Sequence, residues 1–211
     1  MKPRRAIYRL LRRVLMSPVI GLAGYLALIR PRLLRWGATC GEAQRPLPGD
    51  AIVPRAHIQA TRAITVEAPP EAVWPWLVQM GGQPRAGWYG YDRVTNDGHP
   101  SAESIVPELQ RLERGDLLPT PPFGTGYTVE QVEPERTIVL AIRAFHVRIS
   151  WAIVLLGAGE QTRLLFRLRV WCRPGLLGLV YLVLSESADF LITRKQLITI
   201  KALAESTHCK S

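Results

Sequence analysis

Arg85, Trp88, Tyr89, Tyr91 and Asp92 crowd into one short stretch of a 211-residue chain. Tryptophan and tyrosine offer broad apolar faces with a single polar handle, and arginine and aspartate can fix the polar end of a ligand. Together they make the grammar of a small-molecule pocket. The same aromatics could also plug one end of a sheet. A second group lies in Arg163-Leu164-Leu165-Phe166-Arg167-Leu168-Arg169-Val170-Trp171. Strand alternation puts Leu164, Phe166, Leu168 and Val170 on one face and Arg163, Leu165, Arg167, Arg169 and Trp171 on the other. If the arginine face is concave, Arg167 and Arg169 point into a cavity and bind an anionic ligand; if convex, they form a solvated outer stripe. His146 and Trp151, on the preceding strand, carry the same two readings.

Other chemistry is sparse. His57, His99, His146 and His208 do not stand at ligand spacing and none lies near a cysteine pair, so neither a metal nor another cofactor is expected. Gly124-Thr125-Gly126 lacks the lysine of a phosphate loop, and no Gly-x-Ser-x-Gly elbow presents a nucleophilic serine. Glu133 and Glu135 flank Pro134 and read as a solvated hairpin turn. Tyr89, Asp92 and His99 are the acid/base candidates if the chain is an enzyme. No catalytic constellation is evident, and a non-enzymatic binding protein is the preferred reading.

These side chains need elements to carry them. Thr61 to Val66 reads as a strand, stopped at Pro69-Pro70 because neither proline has an N–H to donate to a sheet. Pro70 and Glu71 suit the first turn of a helix in which Val73, Trp74, Leu77 and Met80 recur at helical spacing. Gly81 to Pro100 forms a long loop with one helical turn near Tyr91. Strands follow at Gly115–Pro119, Tyr127–Glu133, Thr137–Ala144, Val147–Leu156 and Gln161–Cys172, separated by proline or glycine turns that predict an antiparallel meander. Leu176 to Glu205 is helical in pattern, with a break or cap expected at Ser185 to Asp189 and an apolar stretch, Leu176 to Leu184, before it.

Several separated words resemble the START-like SRPBCC superfamily in its polyketide cyclase/dehydrase-like branch. They are Ala-Pro-Pro-Glu-Ala-Val-Trp-Pro-Trp-Leu-Val-Gln-Met-Gly, Gly87-Trp88-Tyr89-Gly90-Tyr91-Asp92, Val106-Pro107-Glu108-Leu109-Gln110, Arg114-Gly115-Asp116, Thr162-Arg163-Leu164 and Asp189-Phe190-Leu191. The resemblance spans residues 36 to 205 and implies an α+β helix-grip fold, a curved antiparallel sheet wrapped around a long C-terminal helix with an apolar cavity between them. A shared fold hosts unrelated activities, so it implies no particular reaction.

The net charge of +10 is unevenly placed. Nine of the 27 cations precede Gly37 and no acidic residue occurs before Glu42, which leaves 18 cations against 17 anions in the remainder. A nearly neutral domain argues against nucleic acid as a partner. The basic residues instead bracket the uncharged run Val14 to Ile29, whose helix would rise about 24 Å against a hydrocarbon core of about 30 Å. A single-pass or in-plane membrane anchor is the expectation for this apolar helix, with a signal peptide and a buried helix as alternatives. Cell-membrane localisation follows from it, with the side undecided. Cys40, Cys172 and Cys209 form no disulfide framework.

The organisation expected is a basic-flanked anchor over residues 1–36, a linker or extended arm laid over the domain at 37–60, the helix-grip domain at 61–206 and a tail at 207–211. The function expected is a membrane-associated module holding a lipid, isoprenoid or polyketide-like molecule. A cyclase- or dehydratase-like enzyme in the same cavity and a protein-interaction module are the alternatives.

Overall fold

The structure, a computed structural model, describes residues 24–120 and 125–209. The chain divides into two units, Met1–Leu34 and Arg35–Ser211. In the first, a π-helical turn at Tyr25–Ile29 leads into α1, Arg30–Leu34. Among the described residues no helix is long and apolar enough to cross a membrane. That finding overturns the membrane localisation expected above; residues 14–23 of the proposed anchor lie outside the described residues.

The second unit begins with an arm. Its helix α2, Cys40–Gln44, is held by a reciprocal capping box in which the Thr39 hydroxyl accepts from the Glu42 amide and the Glu42 carboxylate accepts from the Thr39 amide. A 3-10 turn at Asp50–Ile52 follows. Strand β1, Ile58–Val66, then starts the sheet, and Pro69 and Pro70 end it as their missing donors require. Helix α3, Pro70–Val78, buries Val73, Trp76, Leu77 and Val78. Trp76 takes the buried place that helical spacing assigns to Trp74, which is only half-buried.

Helix α4 is the single short turn Asp92–Thr95 within the long loop. After it come β2 Leu117–Thr120, β3 Thr125–Glu133, β4 Thr137–Arg143, β5 Val147–Ala158 and β6 Gln161–Cys172. The six strands pair antiparallel in the order β1-β6-β5-β4-β3-β2, so the meander closes only when β1 joins the last strand. Helix α5, Leu176–His208, lies against β1 and α3 and buries Leu197, Ile200 and Ala204 completely. An antiparallel sheet with a long C-terminal helix against it is the helix-grip arrangement.

The break expected at Ser185 to Asp189 does not occur. Serine and aspartate weaken helices by competing for backbone partners, but here their side chains are occupied. The Ser185 hydroxyl donates to the Leu182 carbonyl within the helix, and the Asp189 carboxylate is taken by Arg62 and Thr193.

The two faces of the sheet are covered differently. The face toward α3 and α5 carries the main core, including Leu140, Ile153, Leu164 and Phe166. The opposite face carries Ala63, Val139, Ala152, Val154 and Leu165, with Leu47 of the arm packed on them. Gly49 makes that approach feasible: its φ is +83°, and a Cβ there would sit 2.6 Å from Val139 Cγ1 and 2.9 Å from Ser150 Oγ.

Candidate functional site

Register decides what faces inward. Phe166 on β6 stands opposite Arg62 on β1 and Ile153 on β5, and Leu168 stands opposite Trp151. Directly opposed residues share a face, so Arg62, Trp151, Phe166 and Leu168 all look toward α5. With Trp88 from the long loop and Tyr127 from β3, they line a cavity of about 350 Å³. Val94 and Thr95 of α4, and Ala188, Ile192 and Thr193 of α5, make the other wall.

One side of the cavity is a continuous aromatic surface. Trp88 lies 5.9 Å from Tyr127 and 5.7 Å from Trp151, and Trp151 lies 5.5 Å from Tyr127 and 5.3 Å from Phe166, measured between ring centres. All four contacts fall in the range in which rings attract through edge-to-face or offset geometry. The Trp88 indole N–H donates to the Pro119 carbonyl at 3.1 Å, and the Trp88 carbonyl accepts from Gln196 of α5 at 3.0 Å. Loop, sheet and helix are thereby tied at the cavity wall.

The polar part is an ion pair between a buried arginine and a partly exposed carboxylate. Arg62 Nη1 donates to Asp189 Oδ2 at 2.5 Å, and the Thr193 hydroxyl donates to Oδ1 of the same carboxylate at 3.2 Å. Arg62 also stands 5.7 Å from the ring centre of Phe190. Thr120, Ser185 and Gln196 supply the remaining polar lining.

Of the residues singled out from the sequence, Trp88 and Trp151 line the cavity and the others do not. Arg85 turns into the structure of its own loop, donating to the carbonyls of Met80 at 2.9 Å and Val78 at 2.5 Å. Burial lowers its pKa, with Asp116 opposing the shift. Tyr89 is buried beneath Trp76, its hydroxyl accepting from Gln79 Nε2 at 2.5 Å, and burial pushes its pKa up to about 12. Tyr91 is exposed, and the Asp92 carboxylate accepts from Ser101 Oγ at 2.7 Å, which fixes the loop. His146 and His99 are exposed.

Arg167 and Arg169 lie on the sheet face away from the cavity, but they are not the solvated stripe that a convex face suggests. Arg167 has a side chain only 2% exposed. Its guanidinium donates to Thr61 Oγ1, to Asp50 Oδ2 and to the carbonyls of Glu42, Ala43 and Arg45 at 2.7–2.9 Å. Arg169 donates to the Val53 and Pro54 carbonyls and to Gln59. The arm brings carbonyl acceptors to the arginines, which is how charge comes to be buried there without a ligand.

Arg62 and Asp189 belong to the cavity and escaped the reading of the sequence as site residues. A signal existed: Arg62 shares strand parity with Ala60, Ile64 and Val66, and an arginine on an apolar face implies a buried counter-charge. Among the described residues no group of three or more His, Cys, Asp or Glu side chains is placed to hold a metal ion.

No family model matches the sequence, and no curated protein matches it either. Solved structures with a similar chain path include DynU16, a protein of the dynemicin biosynthetic locus, at 17% identity and a TM-score of 0.42 over 68% of this chain. The chain spans about half, 47%, of DynU16. A protein of Thermus thermophilus is similar at 13% identity and a TM-score of 0.44, covering 71% of this chain and 99% of its own. The ZhuI aromatase/cyclase of a Streptomyces species is similar at 18% identity and a TM-score of 0.41, covering 70% and 93%. The START-like resemblance of the sequence words stands at the level of the fold, in the strand order and the C-terminal helix.

Proposed function

We propose that the domain is a binding module for a small, mainly apolar molecule held between the sheet and α5. The aromatic wall formed by Trp88, Tyr127, Trp151 and Phe166 carries this reading, because four large rings around an internal space give a ligand's apolar body a surface to exchange for water. A volume of about 350 Å³ lies at the small end of ligand pockets. It favours a compact ring system, polyketide-like or isoprenoid, over a long acyl chain.

Catalysis in the same cavity is the second reading, and one observation favours it: Arg62 and Asp189 are titratable groups within hydrogen-bond reach at its wall. Tyr89, Asp92 and His99 are not among the residues lining this cavity, so this reading rests on Arg62 and Asp189 instead.

The test is native mass spectrometry of the full chain purified without detergent, together with tryptophan fluorescence during titration with naphthalene. A co-purifying apolar molecule, or saturable quenching that Trp151→Ala abolishes, is expected. An empty protein whose fluorescence does not respond would overturn the binding reading.

A further inference from the structure

We infer that the carboxylate of Asp189 makes this cavity selective for a neutral ligand that carries a hydroxyl donor, and that it turns carboxylate-bearing molecules away. The inference rests on the cavity reading above and deepens it to a ligand class.

An arginine in a cavity wall ordinarily suggests an anionic ligand. Here the pair is presented the other way round. The Arg62 side chain is only 2% exposed, whereas Asp189 is 26% exposed, so the member of the pair that a ligand can reach is the carboxylate. Arg62 Nη1 is committed to Asp189 Oδ2 at 2.5 Å, and its guanidinium has the ring of Phe190, a residue outside the cavity lining, on another flank. An ionised carboxylate can accept about four hydrogen bonds and can donate none. Arg62 and Thr193 provide two of those to Asp189. With the side chain partly exposed and two of about four acceptor positions taken by Arg62 and Thr193, the carboxylate keeps acceptor capacity that only a donor can use.

Charge points the same way. Arg62 and Asp189 cancel each other, and the walls around them are aromatic. A carboxylate ligand would be desolvated against these rings while facing a like charge, and an ammonium ligand would bring a second cation beside Arg62. A hydroxyl meets neither objection. Its apolar body lies on the rings and its O–H donates to Asp189, a hydrogen bond strengthened by the acceptor's charge.

Three probes of one ring system make the test: 2-naphthol, which can donate, 2-methoxynaphthalene, which cannot, and 2-naphthoate, which is anionic. Affinities are measured at neutral pH by tryptophan fluorescence on the full chain. Naphthol should bind about tenfold more tightly than the methyl ether, the equivalent of about 1.4 kcal/mol, with naphthoate the weakest. In Asp189→Asn the naphthol preference should shrink toward unity. If that variant fails to fold by circular dichroism, the double change Arg62→Gln with Asp189→Asn removes both charges and should show the same loss. Naphthoate binding as tightly as naphthol, no preference for naphthol over its ether, or a preference that survives in the folded variant would each overturn the assignment to Asp189 while leaving the cavity reading intact. No saturable binding of any probe would overturn the cavity reading and the selectivity with it.

Discussion

The indole of Trp88 lies 5.7 Å from that of Trp151, with the two planes inclined by 32°. One ring arrives on a loop and the other on a central strand, so the contact holds the loop to the sheet and shapes the cavity together. Trp151→Ala should cost about 3–5 kcal/mol in urea unfolding, since it removes a ring that touches Trp88, Tyr127 and Phe166. Trp151→Phe should retain the fold and lose most of the near-ultraviolet circular dichroism that coupled indoles produce. An unchanged spectrum would show that the rings do not couple in solution.

Arg167 should be the costliest residue to remove from the arm-covered face of the sheet. Arg167→Ala removes the charged donor shared by Asp50 and the Glu42, Ala43 and Arg45 carbonyls, leaving Asp50 with the Leu47 amide and Ala43 with Gln59, an expected loss of about 3–5 kcal/mol. Limited proteolysis should then cut the arm between residues 40 and 56 before the rest of the domain. Arg169→Ala, whose side chain is 14% exposed, should cost less and leave the arm resistant. Equal behaviour of the two variants would count against the anchoring role of Arg167.

Acid should loosen the arm through Glu42. Hydrogen bonding to Arg163 outweighs burial and holds the Glu42 carboxyl at about 2, well below its ordinary 4.5. A depressed carboxyl stabilises the fold above its unfolded value and stops doing so as it becomes protonated. The contribution should therefore be complete above pH 4.5 and fade as pH falls toward 2. Glu42→Gln should lower the melting temperature at pH 7 and flatten its decline across that window. Parallel curves for variant and parent would sink the assignment.

Thiol reactivity should divide the cysteines. Cys40 and Cys209 are exposed, whereas Cys172 is buried and desolvation raises its pKa. Two thiols should react promptly with an aromatic disulfide reagent at neutral pH, and the third only in denaturant. Prompt reaction of all three would mean that the end of β6 opens readily.

Much of the fold was legible because turn residues and β-branched runs punctuate it locally. Pro69-Pro70 ends β1, and the expected limits of β5 and β6 differ from those observed by two residues at most. The two faces of β6 also sort as alternation predicts, with Phe166 and Leu168 on the cavity. What alternation could not supply was the cover on the other face, since nothing local says that arm carbonyls will meet Arg167. The unbroken course of α5 was hidden for the same reason: Asp189 looks like a helix stop until a partner 127 residues away takes its charge. In the long loop, composition named five residues of ligand-binding type, and only Trp88 reaches the cavity. Arg85, Tyr89 and Asp92 have the same chemistry but spend it on Met80, Gln79 and Ser101.

The link between Arg62 and Asp189 has a temporal side. It joins the first strand of the sheet to the last helix, and β1 pairs with β6, so neither wall of the cavity is finished until nearly the whole domain has been synthesised. Contacts so distant along the chain cost more loop-closure entropy than the local hairpins β3-β4 and β5-β6, and should form after them. A nascent or C-terminally shortened chain would possess the aromatic strands yet lack the helix wall that encloses the space between them.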